Sequence, residues 1–209
     1  MKPLLLLLSV FLLSSCSQEP PLLLIRDGIT YDQNTNEPFT GIVEGFYEDG
    51  QLEQRTNYVD GKRNGLQERF YRNGQLRYRE NYIDDELDGL YELFHDNGQL
   101  RYRENYKDDE LDGLYESFYE NGQLWRRWNY KDGKQDGLSE LYYENDQLWR
   151  RWNYKDGKQD GLSELYYENG QLEIKGNYID GKQDGLHEMF DEDGNLTRTR
   201  TYRNGELVE

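Results

Sequence analysis

The sequence is poor in the residues that build disulfides, metal sites and nucleic-acid surfaces. It holds one cysteine, Cys16, so no disulfide can form within the chain. Its two histidines, His95 and His187, are isolated from each other, which makes a site built on histidine a weak hypothesis. Basic residues number 25 against 42 acidic ones. The formal net charge of −17 therefore disfavours nucleic acid and anionic lipid headgroups as partners.

Long apolar runs are also missing, apart from one near the N-terminus. Residues 4–13 are apolar and follow Lys2, but the run is too short to span a bilayer. Small residues and Cys16 come next. This arrangement resembles the bacterial lipoprotein signal, in which the cysteine is acylated and becomes the new N-terminus. The resemblance implies removal of residues 1–15, lipidation of Cys16 and a lipid anchor in the bacterial cell envelope. Ser17 favours the outer membrane.

A 24-residue cycle dominates the rest of the chain. Its clearest mark is Gly-Gln-Leu or a close variant, starting at Gly50, Gly74, Gly98, Gly122, Asp146, Gly170 and Gly194. A fixed period of this length indicates an array of small structural units rather than a globular domain with one core. No window shows a helical spacing long enough to count.

Each lap of the cycle has the pattern of a β-hairpin. In one lap, residues 66–71 are rich in strand formers, residues 72–74 (Arg-Asn-Gly) are typical of a turn, and residues 75–82 form a second strand pattern. Residues 83–89 then link to the next hairpin, with turn residues where positive φ is expected. The sequence predicts an all-β fold: an elongated array of about seven antiparallel hairpins forming one long twisted sheet.

The remaining segments are assigned by composition. Residues 16–27, which include two adjacent prolines, are expected to be a tether between the lipid and the fold. Residues 28–40 are expected to be a partial unit that caps the N-terminal end of the array, and residues 41–209 hold the repeats.

Two hairpin registers are possible. A two-residue loop at Asn73-Gly74 would place Glu68 opposite Arg79, whereas a three-residue loop ending in αL at Gly74 would pair Phe70 with Leu76. A surface charge pair is worth about 0–1 kcal/mol, and burying one large apolar side chain about 1.5–3 kcal/mol. The three-residue loop is therefore predicted throughout. It puts the leucine, phenylalanine and tyrosine columns on one face as a thin buried strip.

The repeated pattern Gly-Leu-x-Glu-x-Phe-Tyr-x-Asn-Gly-Gln-Leu, followed by Tyr-x-Asp-Gly-Lys-x-x-Gly, is similar to the bacterial variant of the MORN repeat. The resemblance covers residues 41–209. Bacterial chains of this kind are often labelled antitoxins of the YwqK type. The resemblance implies stacked hairpins with a binding or scaffolding role and no enzymatic activity.

Two neighbouring repeats carry tryptophans around an Arg-Arg pair, in the stretches 125–128 and 149–152. Exposed aromatics beside guanidinium groups favour a protein-binding or glycan-binding patch. The candidate partner-binding residues are Trp125, Arg127, Trp149 and Arg151. The alternative is that Trp128 and Trp152 extend the buried strip while Trp125 and Trp149 lie over arginine stems on the other face.

A glutamate column and acidic links offer weaker sites. One glutamate per lap falls on the face predicted to be apolar, where it needs partners such as tyrosine hydroxyls or backbone N–H groups. We assign this column a structural role, because no nucleophile or second acid accompanies it. The acidic links at 84–86 and 132–136 lack the spacing of a calcium loop. The sequence predicts neither a metal nor another cofactor.

The function expected from the sequence is that of a non-enzymatic, lipid-anchored binding or scaffold protein of the bacterial envelope. It would be a monomer whose repeated face meets a protein or glycan, with no nucleic-acid partner. The alternative is an immunity-type lipoprotein that neutralises a toxin.

Overall fold

The computed structural model describes residues 22–208, which contain strands and turns but no helix. The described chain forms two compact units, one up to Gln99 together with Tyr106–Asp109, the other Leu100–Asn105 together with the residues from Glu110 onward. The strands are β1 Leu23–Arg26, β2 Ile29–Asp32, β3 Gly41–Phe46, β4 Leu52–Val59, β5 Lys62–Phe70, β6 Leu76–Ile83, β7 Glu86–Leu87, β8 Gly89–Phe94, β9 Leu100–Lys107, β10 Glu110–Leu111, β11 Gly113–Phe118, β12 Leu124–Lys131, β13 Lys134–Gln135, β14 Gly137–Tyr142, β15 Leu148–Lys155, β16 Lys158–Tyr166, β17 Leu172–Ile179, β18 Lys182–Gln183, β19 Gly185–Phe190, β20 Leu196–Arg203 and β21 Glu206–Leu207.

Within each unit the strands pair as antiparallel hairpins along the chain. In the first unit, β3 pairs with β4, β4 with β5, and β5 with β6. In the second, β14 pairs with β15, β15 with β16, and β16 with β17. The predicted all-β class and its antiparallel hairpin repeats are confirmed.

The link between hairpins is itself a tight turn. Ile83 pairs with Glu86 across the two residues Asp84 and Asp85, both of which have positive φ (52° and 76°). Two consecutive positive φ values are the signature of a type I′ turn, whose twist matches that of the flanking strands. Gly133 and Gly157 take the same second position in later repeats. The positive φ predicted for these links is confirmed.

The hairpin turn at residues 72–74 also follows the prediction. The Tyr71 N–H donates to the Gln75 carbonyl (2.8 Å), the Gly74 N–H donates to the Tyr71 carbonyl (2.9 Å), and Gly74 lies in αL with φ 83°. Asp146 adopts the same region with φ 65° where glycine is missing. The three-residue loop is confirmed.

Beyond the turn the predicted register is wrong, because a β-bulge follows the loop. Phe70 faces Leu76 as predicted, but the register then shifts, so that Glu68 faces Arg79. The extra residue is Arg77 on β6. A bulge inserts one residue into one strand of a pair, so the hairpin satisfies both pairings that the sequence presented as alternatives.

The bulge also overturns the predicted faces. Cross-strand partners project to the same side of a sheet, so Leu66 lies with Glu68 on one side. Tyr78 faces Arg69, and Tyr82 faces Gly65, on the opposite side. The leucine and tyrosine columns are therefore split between two faces. The face that carries Leu66, Glu68 and their equivalents in other repeats is called the glutamate face below. The face that carries Tyr78, Tyr82 and their equivalents is called the tyrosine face.

The split leaves little fully buried apolar surface. Among residues 22–208, the buried hydrophobic side chains are Val43 and Trp152, and most of the others are only half buried. Leu138 and Leu162, on the glutamate face, remain 37% exposed. The predicted strip of buried Leu, Phe and Tyr on one face is not what holds the sheet together.

Side-chain bonds to the backbone of the next repeat contribute instead. Tyr71 donates its hydroxyl to the Phe94 carbonyl (2.8 Å) in the first unit, and Tyr143 donates to the Tyr166 carbonyl (2.9 Å) in the second. A typical net hydrogen bond is worth about 0.5–1.5 kcal/mol. Repetition of this bond makes each repeat dependent on its neighbour, as expected for stacked units.

The N-terminal segment adds one further hairpin. Leu23–Arg26 pairs with Ile29–Asp32, so the expected boundary at residue 27 passes through this hairpin. The Thr30 N–H donates to the Gly61 carbonyl (2.8 Å), and the Gly61 N–H donates to the Phe39 carbonyl (2.8 Å). These bonds join the segment to the link at residues 60–61, and the capping role stays a prediction. Residues 1–21, with the expected signal and most of the tether, lie outside the described part of the chain.

Residues 22–208 include no helix that has the length and apolar character needed to cross a membrane.

Candidate partner-binding face

Trp125 and Trp149 are bulge residues. The register shifts between Ser117 and Phe118 in one hairpin and between Leu141 and Tyr142 in the next, and each shift leaves a tryptophan as the extra residue of its strand. Bulges often re-aim a side chain. Both indoles remain more than a third exposed, at 36% and 38%.

The first cluster is a stack of two indoles around a guanidinium group. The Arg126 Cζ atom lies 3.4 Å from the ring centroid of Trp125 and 5.0 Å from that of Trp128. Trp128 in turn stacks on Tyr115 with centroids 5.2 Å apart, and Trp125 lies 5.8 Å from Tyr119. The cation is therefore held between two aromatic faces on the tyrosine face, where it is attracted to both rings.

The next repeat carries a second copy of the cluster. The Arg150 Cζ atom lies 4.7 Å from the Trp152 ring centroid, and Trp149 lies 5.7 Å from Tyr143. Two strands separate equivalent positions, so the two copies are about 9–10 Å apart at ~4.7–4.9 Å per strand. Trp125, Arg126 and Trp128, with Trp149, Arg150 and Trp152, are called the tryptophan–arginine clusters below.

Serines make room for these large rings. Ser139 lies opposite Trp152 on one neighbouring strand and Ser163 lies opposite it on the other. Ser139 is fully buried, and Trp152 is 8% exposed. A small side chain on each side lets the indole lie down on the sheet, since cores close-pack by matching large residues with small ones. Trp152 is buried, as the alternative interpretation of the tryptophans expected.

Arg127 and Arg151 lie on the opposite face. Arg127 faces Glu116 on one strand and Glu140 on the other, and Arg151 faces Glu164. Cross-strand pairing with glutamate places both arginines on the glutamate face, away from the tryptophans. The structure thus groups Trp125 and Trp149 with Arg126 and Arg150, which the sequence interpretation passed over.

The glutamate face of the second unit carries an alternating ladder of carboxylates and guanidinium groups. Glu116 is 2% exposed and accepts from the Arg127 Nε (2.8 Å) and from Arg103. The hydrogen bond to Glu116 raises the pKa of Arg127, although burial opposes that shift. The arginine side chains are more than 40% exposed, so the ladder is buried on its acidic side and hydrated on its basic side.

Tyrosine hydroxyls complete the ladder, as the sequence suggested. Tyr142 donates to Glu140 (2.9 Å), and Tyr166 donates to Glu164 (3.0 Å). Burial, reinforced by its hydrogen bond to Glu140, raises the pKa of Tyr142 to about 12. The glutamates are therefore held by arginine and tyrosine, which supports the structural role assigned to this column.

The tyrosine face near Trp128 has buried polar atoms without a hydrogen-bond partner. They are the Arg126 Nε, Trp128 Nε1, Ser117 Oγ and Ser139 Oγ atoms. Buried polar groups are almost always paired, so such exceptions call for an explanation. Two of the four are N–H donors within one cluster, which marks this part of the face as incompletely satisfied.

The acidic links use their carboxylates on the backbone. Asp136 Oδ2 accepts from the Asp156 N–H (3.1 Å), and Asp160 Oδ2 accepts from the Asp180 N–H (3.2 Å). Across residues 22–208, no three His, Cys, Asp or Glu side chains are grouped so as to hold a metal ion. Cys16, the expected lipidation site, precedes this range.

Comparison with known families identifies the repeat. A family described as "MORN repeat variant" matches seven times, at residues 39–60, 63–84, 87–108, 111–132, 135–156, 159–180 and 183–204. The chain belongs to this family. Its MORN repeats each run from the start of one hairpin to the next link, and the first begins two residues before the boundary expected at 41.

Other comparisons add little. No curated protein matches the chain. Among solved structures, a match is to "Crystal structure of GtfA/B complex bound to UDP and GlcNAc", at 15% identity and a TM-score of 0.24. It covers 54% of this chain and 22% of the other, so this chain spans about a fifth of that protein's length. The low TM-score carries no argument about fold or function.

Proposed function

We propose that this MORN-repeat protein functions by binding rather than by catalysis, and that its tryptophan–arginine clusters bind a protein partner. The observation that carries the proposal is the pair of exposed indoles, Trp125 and Trp149, in neighbouring repeats. Arg126 stacks on Trp125, and in the next repeat Arg150 stacks on the buried Trp152. Tryptophan and arginine are enriched among the residues that dominate binding energies. Two copies about 9–10 Å apart suit a partner that makes two similar contacts.

Electrostatics favour a partner with acceptor oxygens at the clusters. The chain is acidic as a whole, yet Arg126 and Arg150 have no carboxylate opposite them on the sheet. Arg126 faces Ser117 and Leu141, and Arg150 faces Leu141 and Leu165. Carboxylates or backbone carbonyls of the partner would meet these two cations.

The absence of catalysis is part of the same proposal. The repeated carboxylates, represented by Glu116 and Glu164, are held by arginines, and ionised carboxylates in charge-assisted bonds are poor general acids. A scaffold needs only a stable face, which the ladder provides. Turnover of a substrate that is lost on changing Glu116 would contradict this part of the proposal.

The location of the protein is proposed from its first residues. Lys2, the apolar residues 4–13 and Cys16 support export and lipid anchoring in a bacterial envelope, on the outer membrane because Ser17 follows the cysteine. Metabolic labelling with a fatty-acid analogue tests this: the wild-type chain should be labelled and membrane-bound, and Cys16→Ser should be neither. Labelling that persists in Cys16→Ser would reject the anchor.

Partner capture tests the recognition face. Purified envelope extract is passed over immobilised wild-type chain and over Trp125→Ala/Trp149→Ala, with Arg127→Gln/Arg151→Gln as the matched variant on the glutamate face. The tryptophan variant should lose the captured protein while its circular dichroism is unchanged, and the arginine variant, if folded, should keep it. Undiminished capture by the tryptophan variant would rule the clusters out as the binding surface. If the captured material is a glycan without protein, the proposal of a protein partner is wrong.

The identity of the captured protein separates a scaffold from the runner-up function. A toxin held in a tight one-to-one complex would make this chain an immunity-type antitoxin. A constitutive envelope component would favour a scaffold.

A further inference from the structure

The MORN repeat that follows the two tryptophan-bearing repeats lacks the tryptophan. Gly176 stands where the two preceding repeats have Trp128 and Trp152. Gly176 pairs with Ser163, so the serine that accommodates Trp152 is retained. On its other side β17 pairs with β19, the strand of His187. The space that an indole would take is open to other occupants.

His187 takes part of that space. A Cβ atom built on Gly176 would lie 2.3 Å from the His187 ring, so the ring rests directly over the glycine. The imidazole is held edge-on by Tyr178 and Tyr202, at centroid distances of 5.6 and 5.0 Å, and its Nε2 lies 3.1 Å from the Asn177 carbonyl. His187 is 4% exposed and is fixed by these contacts.

The remaining space is a cleft of about 240 Å³ on the tyrosine face. Its walls include Ile174, Leu165 and Met189, with Tyr178 and Tyr202 beside His187. A cavity of ~150 Å³ lined by apolar side chains is enough for benzene. The cleft is thus large enough for one aromatic ring system and too small for a typical drug-sized ligand.

One cation lines the cleft. Arg150 lies between Leu141 and Leu165 across the sheet and stacks on Trp152. Its charge has no carboxylate partner within the described chain. A ring that enters the cleft with a carboxylate attached would meet a guanidinium group suited to it.

We infer that the Gly176 cleft is a binding site for an aromatic group that carries a carboxylate, in which the ligand's ring lies beside His187 and next to the row of Trp128 and Trp152. The ring would lie against Ile174 and Met189, and the carboxylate would pair with Arg150. The ligand is either a free aromatic acid or an aromatic side chain flanked by acidic residues in a protein. The inference does not rest on the partner proposed for the clusters.

Met189 is a built-in reporter of the cleft. The chain has two methionines, and the other is Met1. In the full chain labelled with ¹³C-methyl methionine, N-acetyl-tryptophan should shift the Met189 methyl signal through the ring current, with a dissociation constant of about 0.1–1 mM for a ligand of this size. N-acetyl-tryptophanamide should bind up to about fivefold more weakly, since it lacks the charge. N-acetyl-alanine should cause no shift.

Two variants test the assignment. Gly176→Trp with His187→Ser recreates the pattern of the preceding repeats, so it should fold, fill the cleft and abolish the shift. Arg150→Gln should bring N-acetyl-tryptophan down to the affinity of its amide. No shift with the wild-type chain at about 10 mM N-acetyl-tryptophan, or a shift equally strong in the filled variant, would overturn the inference. If the filled variant does not fold, an unchanged preference for the acid in Arg150→Gln would overturn it.

Binding of a short peptide distinguishes the two possible sources of the ligand. An acetylated Asp-Trp-Asp amide that binds more tightly than N-acetyl-tryptophan points to a protein side chain. The reverse order points to a free aromatic acid. Either order supports the site, and failure of the capture experiment above leaves this result intact.

Discussion

Glu116→Gln is the sharpest perturbation of the interactions that hold the second unit together. The carboxylate is 2% exposed and accepts charge-assisted bonds from Arg103 and Arg127. The amide keeps one acceptor oxygen and turns an NH₂ group towards a guanidinium group. A hydrogen bond to a charged group is worth about 1.5–3 kcal/mol. Breaking a fully buried ion pair costs about 3–5 kcal/mol, but these arginines are partly exposed and can rehydrate. We expect a loss of about 2–3 kcal/mol.

The matched control is Glu188→Gln, at the same position of a later repeat. Glu188 is half-buried, and it faces Lys175 and Thr199 without an ion pair inside the described chain. Because no ion pair is lost at this partly exposed site, we expect the free energy of unfolding to change by only about 0.5 kcal/mol or less. The ladder therefore predicts a large difference between two chemically identical substitutions.

Urea unfolding followed by circular dichroism measures that difference. The free energy of unfolding falls by about 1–3 kcal/mol per molar urea. The unfolding midpoint of the Glu116 variant should therefore lie about 1 M below that of the wild type, whereas the midpoint of the Glu188 variant should match the wild type. Arg127→Gln and the double variant complete a cycle, which should give a coupling between the two side chains of at least ~1 kcal/mol. Equal midpoints for Glu116→Gln and Glu188→Gln would refute the ladder as a source of stability.

Three further predictions follow from single side chains. Burial raises the pKa of Glu80, so its ionised form is disfavoured in the fold: Glu80→Gln should gain thermal stability over wild type as pH rises from 4 to 8, and no gain would contradict this. Tyr142, with a pKa of about 12, stabilises the fold below the unfolded value near 10 and loses this effect as pH rises towards 12, so Tyr142→Phe should unfold less steeply in alkali, a difference that vanishes if the phenol is solvated. Asp146→Gly should stabilise by about 0.5–1 kcal/mol in urea, because αL suits glycine, and Gly170→Asp should do the reverse; equal effects of one sign would refute the turn assignment.

Much of the fold could be predicted from the sequence because the cycle is so regular. The hairpin turn at Gly74 and the positive φ at Asp84 follow from local turn chemistry. The register could not be settled this way. Packing of Phe70 on Leu76 was weighed against pairing of Glu68 with Arg79, as if one must exclude the other, and a bulge allows both. A charge pair that recurs in most repeats was the available clue to the bulge.

The wrong register also explains why the sequence grouped the tryptophans with the wrong arginines. With Trp125 recognised as a bulge residue, its neighbour on the tyrosine face is Arg126, while Arg127 turns to Glu116. The Gly176 cleft could not be predicted from the sequence for a different reason. Gly176 and His187 are eleven residues apart and look unremarkable in the sequence, and only the pairing of β17 with β19 shows that the His187 ring covers Gly176.

Hydroxyl-radical footprinting tests most directly which face meets the partner, because it reports oxidation of individual side chains. In the free chain, Trp125 and Trp149 on the tyrosine face and Leu138 and Leu162 on the glutamate face are all exposed, whereas Trp152 is buried. With the captured partner bound, oxidation of the two tryptophans should fall several-fold while that of the two leucines stays unchanged. Protection of Leu138 and Leu162 with Trp125 and Trp149 still oxidised would contradict the assignment of the tyrosine face as the recognition surface.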